Sequence, residues 1–474
     1  MKIPQSWLDS NEYYTYDNVD IVLDKIRPLC KFVFGKSDKS PAILNIPISF
    51  DIETSSFENE EKEKTAIMYI WMIGLCGIPV VGRTWDEFIS AYNAISDFFR
   101  TCGNKRHLLC YVHNLSFEFQ FMRKHLNFIR VFATNKYAPL YALTDRGWDF
   151  RCSLRLSSLS LDVLAKKGLV YHKIRKLVGE LDYSKIRHAE TPLTEMEMQY
   201  CINDVKIVNA YIAECMTTEH ERIDNIPLTN TGYVRRECRN ACFNQTGYRF
   251  LMMDCELSPK VFSLCRAAFM GGFVHSNPLH TFQNMKYVRH KDISSSYFTQ
   301  MLAERFPTGK AKHAVITSWS QLHYYMVNFC CIFTVTFKDI TARYHFDYYI
   351  SAANCEIFGK RKLSNGRVIF ADELTTTLTE LDFDIIEYMY NINKSNTYIS
   401  EFIYFDKDYL PTAFVKTILE AYIKKTHLKG DEEMIELYNK SKRTVNGAYG
   451  MIAYNPIKPT YNYSNDAWQK PVEP

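Results

Sequence analysis

Residues 46–57, IPISFDIETSSF, alternate apolar and polar positions as a strand does and then carry two acids. Successive strand side chains point to opposite faces, so Asp51 and Glu53, two apart, share one. Like charges held side by side in partly apolar surroundings are costly unless something cationic holds them. Residues 66–81, AIMYIWMIGLCGIPVV, are nearly all apolar. The run is shorter than the roughly 20 residues of a membrane span. Gly77 and Pro79 interrupt it, and its Tyr, Ile, Trp and Val predict buried strands joined near Gly77. A helix from about Trp85 to Arg100 and a strand, HLLCYVHN, follow, and after Asn114 the pattern reads as helical. Acidic ENEEKEK at 58–64 reads as a solvated loop. Thr194 and Glu197 have capping-box spacing, and Met198, Ile202, Val205 and Val208 recur at helical intervals, predicting a helix over 194–216. A second block opens near 255, with strand-like FCCIFTVTF at 329–337 and helical stretches near 379–390 and 411–440.

Composition narrows the picture less than pattern does. With 474 residues, 47% of them hydrophobic, the chain can bury the cores of two or three domains. A net charge of +4 means that any nucleic-acid surface must be local. The 14 cysteines are scattered. Cys238 and Cys242 come nearest to a spacing, with no His or second pair to complete a zinc site, so a reduced, cytosolic-type interior is expected. The N-terminus is polar and lacks an apolar signal core. The 32 Tyr and 31 Phe suit thick cores or base stacking.

Two more segments carry acids in telling places. In YVHNLSFEFQFM a strand ends at Asn114 and Glu118 opens a helix; in YCINDVKIV, Tyr200 and Asp204 stand one helical turn apart. A D-x-E at a strand end is by itself usually a solvated pair, and a Tyr and Asp four apart is commoner still. Their order, each on a suitable element, changes that. Four carboxylates converging on one point can hold two divalent cations, and hard oxygen donors suit Mg²⁺ or Mn²⁺. Two such ions, about 3.5–4 Å apart, activate water and stabilise the leaving oxygen in phosphodiester cleavage.

DIET, HNLSFEF and YCINDV resemble the three exonuclease motifs of family B DNA polymerases. The resemblance implies an α/β, ribonuclease H-like 3′–5′ exonuclease domain. In it Asp51, Glu53, Glu118 and Asp204 would bind metal, Tyr200 would orient water, and Thr54, Asn114 and Phe117 would grip the 3′ end of single-stranded DNA. Glu118 stands where the family usually has Asp. Downstream, HKDISSSYFTQM resembles the first palm motif, D-x-x-S-L-Y-P, with Ser296 and Phe298 in place of Leu and Pro. Asp292 would then bind metal, and Ser295 and Tyr297 would meet the incoming nucleotide. KSKRTVNGAYG resembles the fingers motif K-x-x-x-N-S-x-Y-G, with Lys442, Asn446 and Tyr449 for the triphosphate and nascent base pair. FMGGF resembles the Y-x-G-G linker, in which Gly271 and Gly272 let the template backbone approach. A plain turn for the glycines, and a helix with a core Tyr and a Gly450 cap, are the simpler readings of the last two.

On this resemblance residues 1–225 form the exonuclease domain, and 226–474 a partial α+β polymerase domain: palm from 255 to 400, short helical fingers from about 405 to 452. No Y-x-D-T-D follows Gly450, and the one later Asp is Asp466. The expectation is an exonuclease-competent but polymerase-incomplete chain, with the remaining palm and thumb on a second polypeptide. Implied ligands are primer-template and single-stranded DNA, dNTPs and two Mg²⁺ or Mn²⁺ ions per site. The short fingers and the segment before Asp204 resemble protein-primed polymerases of phages and linear plasmids, which adds a terminal protein as partner and a host cytoplasm as location, with no membrane. Basic clusters at 165–176, 286–291 and 442–446 would meet phosphates. A stand-alone exonuclease, or a non-catalytic factor docking DNA or a primer protein, is the alternative; Glu118 favours the latter.

Overall fold

The computed structural model describes residues 2–469 apart from 36, 38, 59–62, 175–181, 183–184, 219–220, 275, 294, 346, 432–433, 453–459 and 465–466. Packing divides the chain into two units, Met1–Arg236 with Glu420–Pro474, and Glu237–Leu419. The division at 225/226 expected from the motifs is one of function and stays a proposal.

In the first unit β1 (Ile48–Glu58), β2 (Lys64–Leu75) and β3 (Ile78–Gly82) form an antiparallel meander. The β2–β3 turn is Cys76-Gly77, both at positive φ (52° and 86°), as a tight hairpin requires. Helix α1 (Trp85–Phe99) starts at a Thr84–Glu87 capping box and stops at left-handed Arg100. Next come β4 (Arg106–Val112) and α2 (Leu115–Met122). The helical pattern expected after Asn114 ends there. Three strands follow: β5 (Phe128–Asn135), β6 (Ala138–Thr144) and β7 (Trp148–Cys152). The β5–β6 register shifts three times, which blurs the alternation. Strand β7 carries Asp149 and Arg151, but they pair at 2.8 Å, so a strand with two charges can lie in the sheet. The order is β3-β2-β1-β4-β7-β6-β5, with β1–β4 and β4–β7 parallel, within a ten-stranded sheet. This is the ribonuclease H-like arrangement. Phe50 and Ile52 of β1 bury into one core with Phe88, Ile95, Val112 and Phe150. The opposite face receives α3 (Glu195–Thr218), close to its expected bounds. Helix α4 (Asn230–Phe243) crosses the division.

The second unit carries α5 (Pro259–Ala268), α6 (Ser296–Ala303), β8 (Phe306–His313), α7 (Trp319–Asn328), β9 (Cys330–Ala342), β10 (Glu356–Ser364), β11 (Arg367–Thr379), α8 (Glu380–Met389) and β12 (Thr397–Asp408). Its antiparallel sheet runs β8-β12-β9-β11-β10. Phe333, Val335 and Phe337 of β9 bury with Leu374, Phe383 and Ile386 on one face. On the other, α5 covers Cys330 and Ile332, and the hydroxyls of Thr334–Thr377 and Thr336–Thr375 pair at 2.9 and 2.8 Å.

Helix α9 (Thr412–His427) leads back to the first unit, where α10 (Ile435–Ile452) continues past Gly450. Residues Tyr463 and Trp468, from the short pair β13 (Tyr463–Ser464) and β14 (Ala467–Trp468), pack on Phe119 at ring distances of 5.1 and 5.8 Å. Among the described residues no helix is long and apolar enough to cross a membrane.

Candidate metal centre

The strand period sets the site. Asp51 and Glu53 pair with Met72 and Ile70 of β2, so all four side chains share the face on which α3 lies. Tyr200, Cys201, Ile202 and Val205 of α3 pack there with Ile70 and Met72. A polar clasp fixes the helix along its axis. Ser49 Oγ donates to the Val205 carbonyl at 2.8 Å, Asn209 Nδ2 donates to Ser49 Oγ at 2.6 Å, and Gly77 N–H donates to Asn209 Oδ1 at 2.6 Å. Space for this clasp comes from Gly74, the cross-strand partner of Ser49. A Cβ there would stand 2.5 Å from Ser49 Oγ and 3.1 Å from Asn209 Oδ1. With Asn209 pinned, Asp204 arrives opposite β1. Oxygens of Asp51, Glu53 and Asp204 then lie within 4.8 Å of one another.

A register shift falls directly after Glu53, where Thr54 pairs with Met68 and Tyr69 is passed over. Bulges of this kind re-aim side chains beside functional sites. The start of α3 is held by reciprocal Thr194–Glu197 bonds of 2.8 and 3.2 Å. Arg187 Nε donates to Glu197 Oε1 at 3.1 Å, and the Arg187 N–H donates to Ser55 Oγ of β1 at 2.8 Å.

Glu118 joins the group from α2. It is buried, and its carboxyl is pushed up to about 8, by burial first; hydrogen bonds to a backbone N–H and to Asp51 oppose the rise, and the Glu53 charge adds to it. Oε2 of Glu118 is buried without a hydrogen-bond partner. The buried Cys201 thiol is likewise pushed up, by burial and then by the charges of Glu53, Asp51 and Asp204. An all-oxygen set of carboxylates with one orphaned oxygen fits a hard divalent cation.

The other candidates fall in several places. Thr54 is half-buried after the register shift. Asn114, the residue before α2, takes φ 90°, an uncommon backbone for a side-chain-bearing residue. Phe117 is exposed, its ring 5.1 Å from Phe121. Tyr200 is buried. In the second unit Asp292 is exposed in an irregular stretch, and among the described residues it joins no group of three metal-binding side chains. Ser295 precedes α6 at φ 52°. Tyr297 and Gly272 meet: a Cβ on Gly272 would stand 3.2 Å from Tyr297 Oη, whereas Gly271 faces open space. Lys442 and Asn446 line a cavity of about 740 Å³ with Tyr211, Glu214, Tyr233 and Arg443. Tyr449 is half-buried off that wall. Arg175 and Lys176 of the first basic cluster, and Asp466, lie outside the described residues.

Sequence reasoning missed Ser49, Gly74 and Asn209. Their signal was there: two small residues interrupting large apolar strands, and an Asn on the apolar side of a helix.

No protein-family model and no curated protein matches the chain. Solved structures of phi29 DNA polymerase do match. The complex with primer-template DNA has a TM-score of 0.66 at 15% identity, over 90% of this chain and 72% of that one. The ternary complex with incoming nucleotide gives 0.62 at 16%, over 90% and 72%, and the complex with single-stranded DNA 0.63 at 16%, over 90% and 72%. The chain therefore has the fold of a family B-like DNA polymerase.

Proposed function

We propose that this chain is a DNA polymerase polypeptide of the family B type whose first unit is a two-metal 3′–5′ proofreading exonuclease. The observation that carries the reading is the convergence of Asp51, Glu53 and Asp204, with Glu118 beside Asp51, in a fold matched by phi29 DNA polymerase. Asp51, Glu53, Glu118 and Asp204 would hold two Mg²⁺ or Mn²⁺ ions. Such ions, when bound, neutralise phosphodiester charge and lower the pKa of water. Tyr200, one turn before Asp204, would orient the attacking water through its phenol. Thr54, Asn114 and Phe117 would seat a frayed 3′ terminus, with Phe117 offering an exposed ring for stacking.

The second unit and α10 belong to the polymerase activity. Asp292 would be a metal-binding carboxylate of the palm. Extension would use dNTPs as substrates and a terminal protein as primer. Gly271, Gly272, Ser295 and Tyr297 would lie along template and nucleotide, and Lys442, Asn446 and Tyr449 would meet the triphosphate and base. The cytoplasm of a phage- or plasmid-bearing host is the proposed location.

The test is incubation of the purified chain with labelled primer-template and Mg²⁺, with and without dNTPs. Shortening that vanishes in Asp51→Ala is the expected result. A wild-type chain inert in both conditions would instead favour a non-catalytic docking factor.

A further inference from the structure

We propose that the outer edge of the second unit's sheet, β10 with its turn into β11, docks the phosphate backbone of a nucleic-acid strand. This rests on reading the chain as a DNA enzyme, but it uses none of the acidic cluster. Strand β10 ends the sheet and pairs with β11 alone. Every residue from Gly359 to Leu363 is exposed.

The cause is local geometry. The β10–β11 register shifts between Phe358 and Arg361 and again between Lys362 and Leu363. At the first shift Gly359 takes φ 77°, and Asp372 Oδ2 accepts the Lys360 N–H at 2.6 Å. A Cβ on Gly359 would stand 2.6 Å from that oxygen, so the position needs glycine. An unbroken strand would turn alternate side chains toward the core. Here Lys360, Arg361 and Lys362 are consecutive and all open to solvent.

Two cations on other strands of the sheet are neutralised by acids. Lys312 pairs with Asp406 at 2.7 Å and Lys338 with Glu373 at 3.6 Å. No ion pair among the described residues involves Lys360, Arg361 or Lys362. Beside them stands Phe358, 59% exposed. Three unneutralised cations next to an open ring match a polynucleotide: phosphates meet the cations and an unpaired base can stack on the ring. Charged edge strands also deter pairing with other chains, and the experiment separates the two roles.

Fluorescence anisotropy would follow labelled single-stranded and duplex DNA across a salt series. The full chain would carry Asp51→Ala so that the probe survives; failure here then says nothing against the nuclease. Adding K360Q/R361Q/K362Q should weaken binding about tenfold near 0.1 M salt and reduce the slope of log K against log salt by about 2–3, each phosphate contact contributing about 0.9 on duplex and about 0.7 on single-stranded DNA. Loss on both probes assigns the ribbon to the phosphate backbone; F358A weakening the single-strand probe alone would add stacking on Phe358. K360R/K362R should bind as the parent does, with an unchanged melting temperature. Unchanged affinity and slope together with new aggregation in sedimentation would overturn the proposal in favour of edge protection. So would preferential capture of polyglutamate over DNA.

Discussion

Asp51 stands on a strand of 11 residues clamped by a buried helix, whereas Asp292 stands exposed in an irregular stretch before one. Both were picked out by short motifs of similar length. The first is surrounded by packing that sets its neighbours: β1 fixes the face, the Ser49–Asn209 clasp fixes α3, and α2 brings a fourth carboxyl. The second, among the described residues, joins no comparable group of acids. A cluster of like charges persists when rigid elements force it together, and that enforced crowding is what a cation can relieve. The contrast predicts unequal dependence on the two acids. Asp51→Ala or Asp204→Ala should reduce primer shortening by about 10³-fold, since losing a metal carboxylate costs several kcal/mol at roughly 1.4 kcal/mol per decade. Asp292→Ala should leave shortening unchanged. A gel assay with Mg²⁺ decides; equal losses from Asp292 and Asp51 would erase the distinction between the regions.

Glu118 sharpens the comparison through proton linkage. Its carboxyl, pushed up to about 8 chiefly by burial, is neutral at pH 7, and a cation that uses it must displace the proton. Mn²⁺ affinity should therefore rise with pH and level off above about 8, weakening by up to about tenfold per unit below that. Calorimetry in buffers of differing ionisation heat would count the proton released. Glu118→Gln should flatten the pH dependence. If the wild-type affinity were already flat from pH 6 to about 8, Glu118 would lie outside the cation site.

The clasp shows why part of the site was legible in the sequence and part was not. Asp51, Glu53, Glu118 and Asp204 announced themselves because chemistry demands those residue types on recognisable elements. Helix α3 was equally plain, since Thr194 and Glu197 cap one another and its apolar residues repeat. What aligns the acids was hidden: Ser49, Gly74 and Asn209 meet only after a helix some 130 residues further along docks on the hairpin. Strands β5 to β7 were hidden differently, by register shifts and by charges that neutralise each other within the sheet. Asn209→Leu should test the clasp. It leaves the Gly77 N–H buried without its acceptor, at about 1–3 kcal/mol, and takes from Ser49 Oγ one of its two bonds, the one to the Val205 carbonyl remaining. The melting temperature should drop by several degrees, and kcat for shortening should fall further than KM rises, because Asp204 shifts while substrate contacts remain. A fall in stability with unchanged kcat would limit Asn209 to holding the fold.

The smallest effect should come from the second unit, at its pair of adjacent glycines. Gly272 and Gly271 are neighbours of one type, yet only Gly272 approaches Tyr297. A methyl at Gly272 must displace a phenol hydroxyl at the end of a flexible side chain by a few tenths of an ångström, so Gly272→Ala should cost under about 0.5 kcal/mol in stability. The displaced ring is one of the groups proposed to meet the incoming nucleotide. Gly272→Ala should accordingly change the preference for dATP over ATP in stabilising a primer-template complex by about two- to threefold, an energy well below 1 kcal/mol. Gly271→Ala, facing open space, should leave that preference where it was. Gel shift with each nucleotide reads the ratio. Because Gly272 was legible only as half of a glycine pair and Tyr297 only as part of a motif, equal behaviour of the two alanine variants would dissolve the one contact that ties those readings together.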